Sequence, residues 1–397
     1  EGNALRTDWE TVVPKGKLDY IMGNPPFVGA RLMSKEQKDD LFDVFGAKWK
    51  NAGNLDYVSC WYKKAADLMK GTRVRTALVS TNSVSQGESV AILWKPLFED
   101  GVHIDFAHRT FRWDSEASIK AQVHCVIIGF SIAPFYKSKV IYSNERPLIA
   151  NNINAYLIDA PSVFIESRGK SVCDSPNMGI GNKPIDDGNY LFSKEEMIDF
   201  IAKEPLSKQY FRPWLGAREF INRISKYCLW LGDCPPNELR KMPECLKRVQ
   251  AVRAFRLAST SAGTVKIADT PTRFHVENMP SGNYILIPCH SSENRKYIPM
   301  GYVTPNVISS NATLLVTDTS LYHFGVLTSN VHMAWTRAVC GRIKSDYRYS
   351  KDVVYNNFPW CNPTAEQKKK IEETAQAILD ARALYPDCSL ADLYDEV

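Results

Sequence analysis

Long apolar runs are missing. No stretch approaches the roughly 20 residues that a helix needs to cross a bilayer, and none has the form of a secretory signal, so no membrane partner and a cytoplasmic location are expected. The ten cysteines include no C-x-x-C pair and no His/Cys spacing of a zinc site. They are expected to be reduced, mostly buried thiols, with no metal. A glycine-rich phosphate loop is also lacking: Gly179-Ile180-Gly181 is a lone G-x-G with no strand pattern before it, and is expected to be an ordinary turn. Nor is the charge lopsided. A net charge of +5 permits a nucleic-acid partner without demanding one, and 397 residues leave room for two or three domains with proper cores.

What the chain does contain is Asn24-Pro25-Pro26-Phe27, directly after the apolar run Leu18-Asp19-Tyr20-Ile21-Met22-Gly23. The run has the pattern of a short buried strand, and two prolines end it. The product is a rigid turn at a strand's carboxyl end, where open α/β sheets leave a crevice for ligands. Because Pro25 and Pro26 have no N–H, the loop carbonyls are free to point outward, and the Asn24 amide oxygen adds an acceptor beside them. Phe27 offers a flat apolar face next to both. Two acceptors on one exocyclic amine engage both of its N–H groups and favour a more tetrahedral nitrogen, whose lone pair can attack an electrophile. Placement suffices without a strong base. The plain alternative is a proline-stiffened loop with no chemistry.

Downstream, Ser34 as a cap and Gly46 as a stop predict a surface helix over 34–45, and apolar spacing predicts another over 58–69, closed by Gly71. Strands are predicted at 75–80, 102–107 and 121–130. Between the last two, His108 to Glu116 is a hairpin connection rich in aromatic and basic residues. By resemblance to methyltransferases that extrude their target base, Phe111 and Trp113 in it are candidates to stack on that base opposite Phe27. An aromatic plug between loops is the alternative. Residues 151–185 have the composition of a linker.

The region 186–362 mixes short strands and helices, and 363–397 is a charged helical tail. A helix over 244–257, with Pro243 at its first position, carries Lys247, Arg248, Arg253 and Arg256 against Glu244. It is either a phosphate-facing surface or a solvated face. The loop 289–296 holds Ser291, Ser292, Asn294, Arg295 and Lys296, side chains that reach base edges and phosphates, or else it is a solvated hairpin loop. A single apolar helix is predicted over 322–339. After it Arg342, Lys344 and Arg348 stand with Tyr347 and Tyr349, a mixture suited to nucleic acid, or else the ordinary cations found after a helix C-terminus.

Asn24-Pro25-Pro26-Phe27 resembles motif IV of the amino-group methyltransferases, which act on adenine N6 with S-adenosylmethionine as methyl donor. Asn3-Ala4-Leu5 resembles the short motif that lies against the cofactor's adenine, with Asn3 where many relatives have Asp, and Tyr57 and Trp61 fall in a segment similar to motif V. Over nearly the whole chain, above all 290–360 with its strings HSSENRKYIPMGY and VYNNFPW, the sequence resembles the MmeI-like type IIL restriction-modification enzymes. That resemblance implies an α/β fold: the C-terminal half of a Rossmann-like methyltransferase sheet over 1–150, the linker, an α+β target recognition domain over 186–362, and a C-terminal helix. It also implies double-stranded DNA as partner and a cofactor-binding half and a nuclease elsewhere in the polypeptide. Two other expectations stand beside it, a glutamine-N5 or RNA methyltransferase, which also uses such turns, and a DNA-binding module without activity of its own.

Overall fold

The computed structural model describes residues 2–113, 123–143 and 146–395. It divides into two compact units, one made of Glu1–Lys170, Thr336–Asp346 and Asp352–Asn357, the other of Ser171–Trp335, Tyr347–Lys351 and Phe358–Val397.

The first unit runs α1 (Trp9–Val12), β1 (Tyr20–Gly23), α2 (Lys35–Phe45), α3 (Ser59–Met69), β2 (Arg75–Thr81), α4 (Gly87–Glu99), β3 (His103–Trp113), β4 (Val123–Ser131), β5 (Lys139–Tyr142) and β6 (Leu148–Ala150). Its strands form one sheet in the order β1-β2-β4-β3-β5-β6. β1 and β2 are parallel, β4 is antiparallel to both β2 and β3, and β5 is parallel to β3. β1, β2 and β3 therefore point the same way, and their carboxyl tips share one edge of the sheet. Ser34 caps α2 in a capping box with Gln37, and Gly46, at φ +71°, ends it as the sequence predicts. The core beneath the sheet is aromatic: Tyr62 stacks on Phe130 at 5.3 Å, and Trp94 meets both edge-on.

Three expectations are corrected here. α4 has no counterpart in the predicted elements, although Val90, Leu93, Trp94 and Leu97 are buried at helical spacing, because Pro96 near its end interrupts the pattern. The segment beginning at His108 is not a hairpin loop. β3 continues to Trp113, with an irregularity between His108 and Phe111 that absorbs the polar residues; the rest of that segment lies outside the described residues. Residues 151–170, expected as linker, pack into the first unit, where Ile153, Ala155 and Leu157 are buried. The Asn154 side chain holds this turn by accepting from the N–H groups of Tyr156 and Ile158, so an asparagine-rich stretch is a built corner.

The second unit begins with β7 (Met178–Ile180), β8 (Leu191–Ser193), α5 (Lys194–Lys203), β9 (Phe211–Leu215), α6 (Ala217–Asn222), β10 (Lys226–Leu229), α7 (Pro236–Leu239), α8 (Pro243–Leu257) and α9 (Ala262–Lys266). It continues with β11 (Tyr284–Pro288), β12 (His290–Ser291), β13 (Gly301–Val303), β14 (Ile308–Ser309), β15 (Thr313–Val316) and α10 (Leu321–Leu327). The chain then runs through α11 (Asn330–Val339), β16 (Gly341–Ile343), β17 (Asp346–Arg348), α12 (Ala365–Ala383) and α13 (Leu390–Tyr394). Two four-stranded sheets, β14-β9-β10-β8 and β13-β11-β15-β7, organise the unit.

Gly179-Ile180-Gly181 is corrected from turn to strand: β7 pairs with β15, and a Cβ on Gly181 would lie 2.1 Å from the Ser310 carbonyl oxygen. The glycine permits backbone contact, not ligand binding. The single helix predicted over 322–339 is two helices. Thr328 returns its hydroxyl to the Phe324 carbonyl at the end of α10, and Ser329 accepts from the His332 N–H at the start of α11. At α8 the first-turn N–H groups of Glu244 and Cys245 donate to the buried carboxylate of Glu204, which supplies the cap that Met242, at the cap position, does not.

Candidate functional site

The strand β1 ends at Gly23, opposite Leu78, while β2 continues through Val79 and Ser80 to Thr81. Asn24 leaves the strand exposed, Pro25 is buried, Pro26 is exposed and Phe27 is half-buried against the core of the first unit. Pro25 anchors the turn. Among the described residues the Asn24 amide makes no hydrogen bond, so its oxygen is uncommitted.

The chain beyond Phe27 is held from two sides. The Tyr57 N–H donates to the Val28 carbonyl at 2.9 Å. Asp56 accepts from the Ala30 N–H through Oδ1 at 3.0 Å, and through Oδ2 from the hydroxyls of Ser83 at 2.5 Å and Thr81 at 3.4 Å. Thr81 and Ser83 stand at and just past the tip of β2. Phe111 and Trp113 lie two residues apart on β3, on one face, with ring centroids 6.1 Å apart, and the His108 ring meets Phe111 edge-on at 4.8 Å. Phe111 is half-buried and Trp113 is 39% exposed, at the same sheet edge as the proline turn.

Leu5, Tyr57 and Trp61 belong to one core cluster, and the Asn3 amide and the Tyr57 hydroxyl turn toward Asp40. Asp40, buried, accepts from the Asn3 amide at 2.8 Å, the Arg6 guanidinium at 2.6 Å and the Tyr57 hydroxyl at 2.7 Å. Burial pushes the Asp40 carboxyl up, but the donors outweigh it and hold it below the usual carboxylate range. Burial first, and the bond to Asp40 second, push the Tyr57 phenol up to about 12. Leu5 is buried, and Trp61 is half-buried, edge-on to Tyr57 at 5.3 Å. Leu5, Arg6, Asp40, Asp43, Val44 and Lys64 line a cleft of about 410 Å³.

The basic residues divide sharply. Arg253, Asn294, Lys296, Lys344 and Arg348 are exposed. Arg248 is not free: its guanidinium lies over the Phe192 ring at 4.7 Å and donates to the Asn189 carbonyl. Arg256 is fully buried and donates to the carbonyls of Pro184, Ile185, Ile267, Thr270 and Arg273, so it staples the fold and cannot meet a phosphate. Ser291 is buried in β12, paired with Tyr347 of β17. Ser292 is half-buried and accepts from the Asn294 N–H. Arg295, 12% exposed, forms a two-point ion pair with Asp395 at 2.5 and 3.1 Å, so that charge is already matched. Arg342 is half-buried and donates to the Ser345 carbonyl at 2.7 Å.

Family models match most of the chain. Residues 1–143 match the DNA-methyltransferase domain of MmeI, 159–362 its target recognition domain and 363–397 its C-terminal domain. The chain belongs to the MmeI family. It is 48% identical to the type IIL restriction-modification enzyme MmeI, solved in complex with DNA, with a TM-score of 0.96 over 100% of this chain and 53% of that one. It is 39% identical to DNA methyltransferase A of Bacillus subtilis (strain 168), over 99% of this chain and 45% of that protein. The chain thus spans about half the length of these relatives.

Within the part matching the MmeI methyltransferase domain, sequence reasoning missed the side-chain contacts of Asp56 and Asp40. Asp56 was visible only as a polar residue before an apolar helix, the usual signature of a cap. Its carboxylate instead reaches across to Ala30 and Ser83, while Val58 occupies the cap position of α3 without a side-chain bond.

Proposed function

We propose that this chain is the catalytic and sequence-reading part of a site-specific DNA methyltransferase that modifies adenine N6 in duplex DNA, within a fused restriction-modification enzyme. The observation that carries the proposal is the exposed, uncommitted Asn24 amide on a proline-locked corner at the sheet edge shared with the tips of β2 and β3. Asn24 Oδ1 and the Pro25 carbonyl would accept the two N–H groups of the target amine, as Phe27 stacks on the ring. Phe111 or Trp113 would close the opposite face. Extruding the base costs about a few kcal/mol, and stacking returns on the order of 1–3 kcal/mol per base. Two aromatic faces are enough to offset that cost.

S-adenosylmethionine, when bound, supplies the methyl group on a sulfonium, an electrophile that needs no further activation. The residues present fit its adenosine end as an apolar shelf: Trp61 and Leu5 would touch it, and Asn3 and Tyr57, tied to Asp40, would hold the shelf in place. β1 is an outer strand with Tyr20 64% and Met22 78% exposed. Further strands of a cofactor-binding half would cover that apolar surface. Arg253, Asn294, Lys296, Lys344 and Arg348 are the residues assigned to DNA, with Ser292 and Arg342 as supports of their loops.

The test is transfer of labelled methyl groups by the full-length enzyme to duplex DNA, RNA and protein, followed by identification of the modified base. N6-methyladenine at a unique duplex sequence is expected. Label on cytosine, RNA or glutamine instead would overturn the assignment.

A further inference from the structure

We infer that Asp56 is the positioning residue that sets the proline corner at its working height above the sheet edge. The inference rests on the adenine-N6 assignment of that corner. An acceptor pair acts on an amine only when held within about 0.5 Å of the productive geometry. The entry of the corner is fixed by β1, whose Gly23 is paired with Leu78. Its exit, Val28-Gly29-Ala30, belongs to no strand or helix and needs an anchor of its own. Asp56 and Tyr57 supply one. The Tyr57 N–H holds the Val28 carbonyl, and Asp56 Oδ1 holds the Ala30 N–H.

The other carboxylate oxygen accepts from the Ser83 hydroxyl, and the Thr81 hydroxyl, 2.8 Å from Ser83 Oγ and 3.4 Å from the same carboxylate oxygen, has its one proton to share between the two. One side chain thus ties the exit of the corner to the neighbouring strand tip. Both oxygens are occupied by donors, so the group is not arranged to take a proton from a substrate. Its role is placement, and placement does not need its charge. An asparagine could keep the amide oxygen on Ala30 and donate its NH₂ to the same two hydroxyls, which can accept.

The experiment uses the full-length enzyme in single-turnover methyl transfer to its own duplex site, with duplex affinity measured in parallel. For Asp56→Ala the transfer rate is expected to fall about 30- to 100-fold, the size of effect that an ångström of misplacement brings, with duplex affinity within about twofold. Asp56→Asn is expected to restore the rate to within about fivefold of the parent, with an unchanged pH profile. Thr81→Val with Ser83→Ala, which leaves Asp56 in place but cuts its tie to β2, should lower the rate about tenfold and serves if Asp56→Ala fails to fold. A parental rate in Asp56→Ala or in the Thr81/Ser83 pair overturns the inference, as does an Asp56→Asn enzyme as slow as Asp56→Ala. If the parent enzyme methylates no adenine at all, the functional assignment fails, a result distinct from any of these.

Discussion

In the first unit the residues that carry the candidate chemistry stand where local covalent geometry puts them, whereas in the second Arg248, Arg256 and Arg295, among the charges expected to face DNA, are consumed by the fold. Asn24 is exposed because two prolines end β1 and leave the next backbone no strand to continue. Nothing comparable constrains α8. Arg248 and Arg256 stand eight residues apart on it and point into the unit, one onto Phe192 and the other into a cage of five carbonyls. Covalent stiffness gives a motif a fixed direction, but a charge follows whichever partner the tertiary fold supplies.

The sharpest test of this contrast is Asn24→Ala in the full-length enzyme. Removing one hydrogen-bonding group from a polarising pair costs about 10²–10³ in rate, so methylation should fall by at least that factor while duplex binding persists. Normal methylation would remove the corner from the mechanism. Arg256→Met comes next. It leaves five buried carbonyls without their shared donor, and thermal unfolding should show a loss of about 3 kcal/mol or more with nothing specific to DNA. A stable variant that loses only DNA affinity would put the charge back on the surface.

Arg253 and Arg248 then give a paired comparison at smaller scale. Arg253→Ala should weaken duplex binding modestly and reduce the dependence of log K on log salt by about one. Arg248→Ala should leave that slope unchanged and lower stability, and the reverse outcome would mean that exposure is a poor guide to contact here. The smallest effect concerns pH. His332 is buried with its ring nitrogen 2.9 Å from the Tyr349 hydroxyl, and burial pushes its pKa down to about 3. The unfolded chain takes up that proton near pH 6.5, so the stability linked to the neutral ring is whole above that pH and is lost as pH falls from there toward 3. The melting temperature of the second unit should decline over that window, and His332→Gln should flatten the decline.

Much of the fold was legible. A capping residue predicted α2 at Ser34, because caps act within one turn of the chain. α4 was hidden by Pro96, and the break between α10 and α11 by an apolar pattern that runs through Thr328 and Ser329. In the site, the Asn24 to Phe27 corner was visible as a string of residue types. Asp56 was not, since its partners Ala30, Thr81 and Ser83 are 25 to 27 positions away in the chain.

The proline corner, the cap of α2 and membership of a family were all readable from residues adjacent in the chain or from a pattern carried along it. Only contacts between distant positions decide which arginines meet solvent, which carboxylate holds the corner, and that Ile153, Ala155 and Leu157 are core. Those outcomes depend on groups brought together from distant positions, and burial, not residue type, sets whether a charge is spent within the protein or left for a partner.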